Sequence, residues 1–169
     1  MNLAAPQVVA RSPGDFGAPE IDDLVAFVLA GGEVSPRGLR DRIMKAHCLA
    51  FMRRDGCLLG VAALKRPESS YRARVVKSAG VPLPRESFEF ELGWVFILPS
   101  ARGAKLSFPL CEPVVRIADG AGVFATSRAT NAGMHATLQK LGFSRRGSEW
   151  ASKQVNDRLQ LFAKKPSNT

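Results

Sequence analysis

The sequence is poor in the residues from which metal centres and disulfide frameworks are built. Of its 169 residues, three are cysteines, Cys48, Cys57 and Cys111, and two are histidines, His47 and His135. No two cysteines stand at C-x-x-C spacing, so we expect neither a bound metal nor a disulfide scaffold. The cysteines are instead expected to act as small buried or half-buried apolar residues.

Long hydrophobic runs are also missing. No apolar stretch approaches the ~20 residues that a helix needs to cross a bilayer, and no charged segment followed by an apolar one marks a signal peptide. Hydrophobic residues make up 46% and charged residues 23% of the chain, which is typical of a soluble globular protein. We therefore predict one domain over residues 1–169, a cytoplasmic location and no membrane partner.

Basic residues are in excess, with a net charge of +9 and a pI near 10.1. Such a balance fits a nucleic acid partner, a small anionic ligand or a solvated basic surface. The Lys and Arg residues are scattered, and Tyr71 is the only tyrosine, so stacking platforms for single strands are scarce. Nucleic acid is accordingly the weaker of the partner hypotheses.

The first half of the chain predicts helices followed by a strand hairpin. The Asp55-Gly56 pair between two apolar runs is a strong hairpin signal, and Ser35 before Pro36 is a favoured helix start. The predicted elements are a short edge strand over 7–10, helices over 20–30 and from Ser35, strands over 48–53 and 57–64, and a helix from Ser69 or Ser70 to Gly80.

Residues 88–98 form the clearest strand in the sequence. Alternation assigns Phe88, Phe90, Leu92, Trp94, Phe96 and Leu98 to one face, and Glu89, Glu91, Gly93, Val95 and Ile97 to the other. A glycine inside a strand indicates a bulge or a close approach of a ligand or backbone, so Gly93 marks such a point.

The second half predicts a strand–helix–strand crossover. The helix after residue 98 contains Pro109 and Pro113, so we expect it to be kinked or to begin late, near Ser107. A strand over 123–127 follows, then a helix capped by Thr130 or Asn131 that ends at Gly142, strands over 143–152 and 158–163, and a frayed end over 164–169. A crossover makes strands 88–98 and 123–127 parallel, so a ligand is expected at their C-terminal ends, where a helix start favours phosphate.

Two segments at this spacing resemble the GCN5-related N-acetyltransferase (GNAT) superfamily. The segment V-F-I-L-P-S-A-R-G-A-K-L over 95–106 looks like the fourth strand and pyrophosphate loop of that family. The segments A-T-S-R-A-T-N over 125–131 and L-Q-K-L-G-F over 138–143 look like its fifth strand and following helix. The resemblance implies an α/β fold with a mixed central sheet, helices on both faces, and strands 4 and 5 parallel and splayed.

The resemblance also implies acetyl-CoA as co-substrate, with no metal. Pantetheine would bind along the backbone of Phe96, Ile97 and Leu98, and Asn131 would contact the cofactor arm. The pyrophosphate would lie on the loop and helix start formed by Arg102, Gly103, Ala104, Lys105, Leu106 and Ser107. The expected reaction is direct transfer of the acetyl group to a primary amine in a ternary complex.

The proposed catalytic residues are Glu91, then Glu89, as the base, and His135 as a substitute acid. Leu138 stands where many family members have the acidic tyrosine, so water is the alternative proton donor to the thiolate. The glutamates could instead pair with Arg72, Arg74 or Lys77. His135 could equally be a half-buried structural histidine.

The acceptor is not identifiable from the sequence, and a homodimer is also left open. Small amines, an antibiotic, a polyamine or a protein amine all fit. Two further readings stay open. Lys105, Leu138 and the prolines favour a catalytically degenerate interaction module of the same fold, and charge alone favours a basic nucleic-acid-binding protein.

Overall fold

The computed structural model describes residues 3–167. The predicted order of elements is confirmed, and two 3₁₀ turns occur at Pro13–Asp15 and Pro99–Ala101. The elements are β1 (Gln7–Arg11), α1 (Ala18–Ala30), α2 (Leu39–Met44), β2 (Cys48–Arg54), β3 (Cys57–Lys65), α3 (Ser69–Ala79), β4 (Phe90–Ile97), α4 (Ser107–Ile117), β5 (Val123–Arg128), α5 (Ala132–Lys140), β6 (Ser144–Ala151) and β7 (Arg158–Lys164).

The strands form one mixed seven-stranded sheet in the order β1-β2-β3-β4-β5-β7-β6. Among the strands of the described residues, only β4 and β5 pair in parallel, and their ladder is limited to Phe90 with Val123 and Glu91 with Phe124. Beyond Glu91 the two strands separate, which opens the sheet at its centre. The predicted parallel and splayed pair is therefore confirmed.

The hairpin between β2 and β3 follows from two residues. Asp55 and Gly56 both have positive φ, +49° and +79°, as a two-residue type I′ turn requires. The strands that they join supply both sides of the core, since Leu49 and Phe51 pack on one side of the sheet and Ala50 and Met52 on the other. Period-two alternation thus buries β2 on both faces.

Helices cover both faces of the sheet. On one side α1 and α2 bury Leu24, Val28 and Ile43 against β2 and β3, and α3 packs Val75 against β5 and β7. The opposite side carries α4 and α5, whose apolar residues join the largest core cluster, including Leu110, Val114 and Leu138. The opening between β4 and β5 is consequently walled by helices above and below.

A bulge in β4 changes which way its side chains point. The register with β3 shifts between Val61 and Ala63, and Trp94 has φ +50°. Phe90 and Leu92 face the α4–α5 side, whereas Trp94 and Phe96 pack on the α1 side. The bulge predicted at Gly93 is present and begins at the next residue, Trp94. The prediction that alternate residues from Phe88 to Leu98 share one face is wrong, because the extra residue of the bulge reverses the alternation.

Three helix starts test the capping predictions. The Ser35 cap is wrong, because α2 begins at Leu39 after Gly38 in the left-handed region (φ +65°). The late start of α4 is confirmed, with Pro109 in its first turn, where the backbone N–H that proline lacks has no partner within the helix. Asn131 is the cap of α5, and its side chain accepts a hydrogen bond from the Met134 N–H.

The C-terminal segment is more ordered than predicted. Lys164 pairs with Val123 as the last residue of β7, and the Ser167 N–H donates to the Gly120 carbonyl over 2.9 Å. The prediction of fraying is wrong at Lys164, which completes the ladder of β5, and at Ser167, which is tied to Gly120. The last two positions of the segment, 168 and 169, lie outside the described residues.

Candidate functional site

A cleft of about 1170 Å³ occupies the opening between β4 and β5. Its floor is formed by residues 92–97 of β4 and 125–128 of β5. One wall comes from the start of α4 and the exposed side of α5, and the other from the end of α1 and the loop after it. The cleft therefore lies at the C-terminal ends of the two parallel strands, where the crossover predicts a ligand.

The loop between β4 and α4 presents a run of free backbone donors. Within residues 3–167, no backbone carbonyl or side chain accepts a hydrogen bond of normal geometry from the N–H groups of residues 103–108, although the chain turns at Arg102–Gly103. Gly103 and Lys105 have positive φ, +83° and +56°. Alternation of left-handed and right-handed backbone conformations turns successive N–H groups towards one point. The loop thus has the chemistry of an anion site, reinforced by the positive end of α4.

Lys105 is the unexpected residue in this loop. A left-handed backbone costs about 1 kcal/mol or more for a residue with a Cβ, and glycine is the usual choice. The Lys105 side chain is exposed and the residue lines the cleft. Lys105 places a cation beside the free N–H groups, which is consistent with binding of an anion. Its exposed position also shows that a lysine fits in this loop without closing the cleft.

Two further cations flank the cleft. The Arg102 guanidinium donates from Nε to the Ile97 carbonyl over 3.1 Å and lies over the Phe96 ring. The Lys140 ammonium lies 4.1 Å from the centre of the Phe108 ring. Both residues line the cleft, so its α4–α5 end carries Arg102, Lys105 and Lys140 around the free donors.

Beyond the bulge, β4 has an unpaired edge. Leu92, Gly93, Phe96 and Ile97 remain paired with β3 on one side, while β5 offers residues 92–97 no ladder partner on the other. Extended backbone with a free edge binds an added chain through main-chain hydrogen bonds. An elongated polar ligand therefore fits along this edge, between the anion site and the centre of the sheet.

The remaining residues predicted to bind the cofactor are divided by the structure. Phe96, Ile97, Leu106, Ser107 and Asn131 line the cleft. Leu98 and Ala104 do not line it. The Leu98 N–H is used in a 2.9 Å bond to the Leu59 carbonyl, because the chain turns away from the cleft at that point.

Glu91 lies beside the cleft but does not line it. Its side chain is 3% exposed, with Oε2 2.8 Å from the Lys65 ammonium and Oε1 accepting from the Tyr71 hydroxyl at 2.7 Å. Lys65 is its direct cross-strand neighbour and extends over Gly93, where a Cβ would come within 2.7 Å of the Lys65 Cδ. The alternative of a pairing with Arg72, Arg74 or Lys77 is not what the structure shows for Glu91, because its partners come from β3 and from a tyrosine.

Glu89 and His135 also lie outside the cleft lining. Glu89 is 47% exposed and pairs with Arg66 over 3.1 Å. His135 is buried, and Arg145 donates to its Nδ1 over 3.1 Å. Its Nε2 must then carry the hydrogen that bonds to the Arg128 carbonyl over 2.9 Å. Both ring nitrogens of His135 are occupied by structural contacts.

Tyr71 and Thr126 are the residues near the site that the sequence did not suggest. The Tyr71 hydroxyl, besides its bond to Glu91, lies 3.5 Å from Thr126 Oγ1, and Thr126 lines the cleft. Burial, and then the neighbouring Glu91 charge, raise the pKa of Tyr71 well above its ordinary value. Residues 71 and 126 are 55 positions apart, so the sequence does not show that they meet. The one available signal was that Tyr71 is the only tyrosine of the chain.

The other end of the cleft combines aromatic rings with an ion pair. Phe27 and Phe96 meet edge to face at 5.6 Å, beside Trp94. Arg128 at the end of β5 pairs with Glu33 and donates to the Gly31 carbonyl over 3.4 Å. The loop after α1 is thereby tied across the cleft to β5.

No protein-family model matches the sequence, and no curated protein matches it. Solved structures do match. Escherichia coli ElaA superposes with a TM-score of 0.69 at 9% identity, over 95% of this chain and 99% of that one. A GNAT-family acetyltransferase from Streptococcus agalactiae gives 0.66 at 15% identity over 99% and 100%. The ribosomal-protein-S18-alanine N-acetyltransferase of Escherichia coli gives 0.64 at 14% identity over 96% of both chains.

These likenesses show that the chain has the GNAT fold, as its sequence resemblance implied, with the subfamily unassigned. At such low identity they carry the fold alone. Within residues 3–167, no helix is long and apolar enough to cross a bilayer. The same range contains no cluster of three His, Cys, Asp or Glu side chains arranged to hold a metal.

Proposed function

We propose that the protein is an acetyl-CoA-dependent N-acetyltransferase that transfers the acetyl group to a primary amine by direct attack in a ternary complex. The observation that carries the proposal is the run of free N–H groups over 103–108, which opens onto the cleft between the splayed strands. A diphosphate offers the negative charge and the acceptor oxygens that such a run of N–H donors binds.

The described residues fit the donor along its length. The donor supplies an activated acetyl group as a thioester. Backbone N–H groups of residues 103–107, with Lys105 and Arg102, bind the phosphates. The free edge of β4 at Phe96 and Ile97 holds the extended arm, and N–H groups freed by the bulge polarise the thioester carbonyl. Asn131 Oδ1 caps α5, which leaves its Nδ2 group to contact the arm.

The proton of the acceptor ends on Glu91 in this proposal. An ammonium group must lose a proton before it attacks, and a carboxylate close to the site promotes that loss. Glu89 is exposed and bound to Arg66, so it is the weaker candidate for the base. His135 uses both ring nitrogens elsewhere and Leu138 is fully buried, so water protonates the leaving thiolate.

The acceptor enters from the end formed by α1 and its following loop. Trp94 and Phe96 give this end an apolar surface, while Glu33 and Arg128 supply one charge of each sign. A polycationic acceptor is disfavoured, because the chain carries a net charge of +9 and like charges slow the approach.

A panel of amines with thiol detection tests the proposal. Purified protein is incubated with acetyl-CoA and, in turn, a lysine peptide, an N-terminal alanine peptide, spermidine, an aminoglycoside and small aromatic amines. Free CoA should appear with at least one acceptor, at a rate proportional to protein concentration. Binding of acetyl-CoA without turnover of any amine would favour the degenerate interaction module instead. No binding, together with a salt-dependent affinity for DNA or RNA, would favour the basic nucleic-acid binder.

A further inference from the structure

Two hydroxyl groups connect the cleft to the buried carboxylate. Thr126 lines the cleft on β5, its Oγ1 lies 3.5 Å from the Tyr71 hydroxyl, and that hydroxyl donates to Glu91 Oε1 over 2.7 Å. Glu91 itself has no place in the cleft lining. Any proton that reaches Glu91 from the cleft must therefore cross an intervening group, and these hydroxyls are placed to carry it.

The fold explains why the three residues meet. β4 and β5 stop pairing after Glu91 and Phe124, so Thr126 is the next residue of β5 on the same face as Phe124 and lies where the strands have begun to separate. Tyr71 stands in the first turn of α3, which packs across this face. Its side chain spans from the helix to the opening of the sheet.

The charges around Tyr71 keep it in a relay-competent form. Glu91 of β4 accepts a hydrogen bond from the Tyr71 hydroxyl. The Lys65 ammonium of β3 lies 5.2 Å from the centre of the Tyr71 ring, and the Arg74 guanidinium of α3 lies 5.8 Å from the same centre. Thr126 of β5 is the fourth neighbour. Because the pKa of Tyr71 is raised by burial and by Glu91, the phenol remains protonated, and it can pass a proton on only while receiving another.

We propose that Thr126 and Tyr71 form a proton relay that carries the acceptor's proton from the cleft to Glu91. The inference rests on the proposed acetyl transfer. In the step, the acceptor ammonium gives a proton to Thr126 Oγ1 directly or through one water, Thr126 gives its own to Tyr71, and Tyr71 gives its own to Glu91 Oε1. The ammonium becomes a neutral amine, the Glu91 carboxylate becomes a carboxylic acid, and both hydroxyls are regenerated.

Kinetics against pH distinguish a relay from a structural role. For the alkylamine that the panel shows to be acetylated fastest, Y71F and T126V should each lower kcat at least 10-fold at pH 7, since general-base assistance contributes about 10²–10⁴-fold. The deficit should shrink towards pH 10, where a substantial fraction of an alkylamine is already neutral. T126S keeps a hydroxyl and should restore most of the rate that T126V loses, and the KM for acetyl-CoA should be unchanged in all three variants.

V75A is the matched control. Val75 is buried one turn after Tyr71 on the same face of α3, so its truncation loosens the packing of the helix without removing a hydroxyl. It should lower the melting temperature while leaving the shape of the pH–rate profile unchanged. A Y71F profile parallel to that of the wild type, or a T126S variant as slow as T126V, would overturn the relay while leaving the acetyltransferase proposal intact.

A second readout needs no acceptor. Tyr71 is the only tyrosine, so the rise of tyrosinate absorbance at 295 nm with pH reports this residue alone. E91Q removes a charge that raises the pKa of Tyr71, and the titration midpoint should move to lower pH. An unchanged midpoint would mean that the phenol does not contact Glu91, and the relay would fall. If instead no amine is acetylated by the wild type while the midpoint moves as expected, the proposed function fails and takes the relay with it.

Discussion

The cap of α5 permits a prediction in which fold and ligand binding are separated at one residue. Asn131 Oδ1 accepts the Met134 N–H over 3.0 Å, and the residue is exposed at the cleft. N131A removes the cap and should destabilise the protein by about 1 kcal/mol. For a chain of this length such a loss lowers the melting temperature by about 2–4 °C.

N131S is the informative companion to N131A. Serine caps helices about as well as asparagine, so N131S should melt within about 1 °C of the wild type, a shift that corresponds to less than half the cost of losing the cap. It cannot, however, extend an amide to the cofactor arm. Loss of one neutral hydrogen bond of about 0.5–1.5 kcal/mol corresponds to a Kd for acetyl-CoA that is about 2- to 13-fold weaker.

The assays are thermal unfolding by circular dichroism and titration calorimetry with acetyl-CoA. The account expects N131A to be impaired in both and N131S in binding alone. An N131A variant with the melting temperature of the wild type would refute the capping role. An N131S variant with wild-type affinity would refute the contact with the cofactor arm and leave Asn131 a purely structural residue.

Three further predictions concern the fold. In the folded protein a thiol reagent should modify Cys57 alone, because burial raises the pKa of Cys48 to about 11 and of Cys111 to about 12; modification of a second thiol at the same rate would contradict the packing. In urea unfolding, G122A should lower the free energy of unfolding by about 3 kcal/mol, since its Cβ would lie 1.9 Å from the Ser87 carbonyl oxygen. G14A should leave the free energy of unfolding unchanged, because no atom lies within 4 Å of its added Cβ. Burial, and next Arg66, lower the pKa of His47 in the folded protein. As the pH falls, His47 is therefore protonated first in the unfolded state, and the free energy of unfolding should decrease below about pH 6.5. H47F should flatten this pH dependence, and an equal slope in both proteins would argue against the role of His47.

Local chemistry explains most of what the sequence predicted. The Asp55–Gly56 turn, the Asn131 cap and the late start of α4 each depend on residues within a few positions, where backbone preferences decide the outcome. The run of N–H groups over residues 103–108 is also local, because a turn into a helix start suffices to free them.

What the sequence could not predict depends on contacts between distant elements. The reversal of the β4 faces at Trp94 requires the register with β3, since one inserted residue is invisible in an alternating apolar run. The partners of Glu91 come from β3 and α3, 26 and 20 positions away. Arg72 and Arg74 lie at similar separations from Glu91 along the chain, so separation could not identify the partners. The Ser35 cap failed for a local reason: Gly38 adopts a left-handed turn that delays the helix by three residues.

The central claim is that the loop before α4 binds the diphosphate of acetyl-CoA, and a negative charge introduced at Ser107 tests it most directly. Ser107 is the first residue of α4 and lines the cleft. A glutamate there suits the positive end of the helix and should leave stability unchanged or raise it by up to about 1 kcal/mol, while it repels a bound phosphate.

Calorimetry with acetyl-CoA should therefore show binding by the wild type and by S107A, and an affinity at least 10-fold weaker for S107E, which corresponds to about 1.4 kcal/mol. The melting temperature of S107E, measured beside it, should be no lower than that of S107A. Equal affinity of all three proteins for acetyl-CoA, or no binding by the folded wild type, would contradict the account.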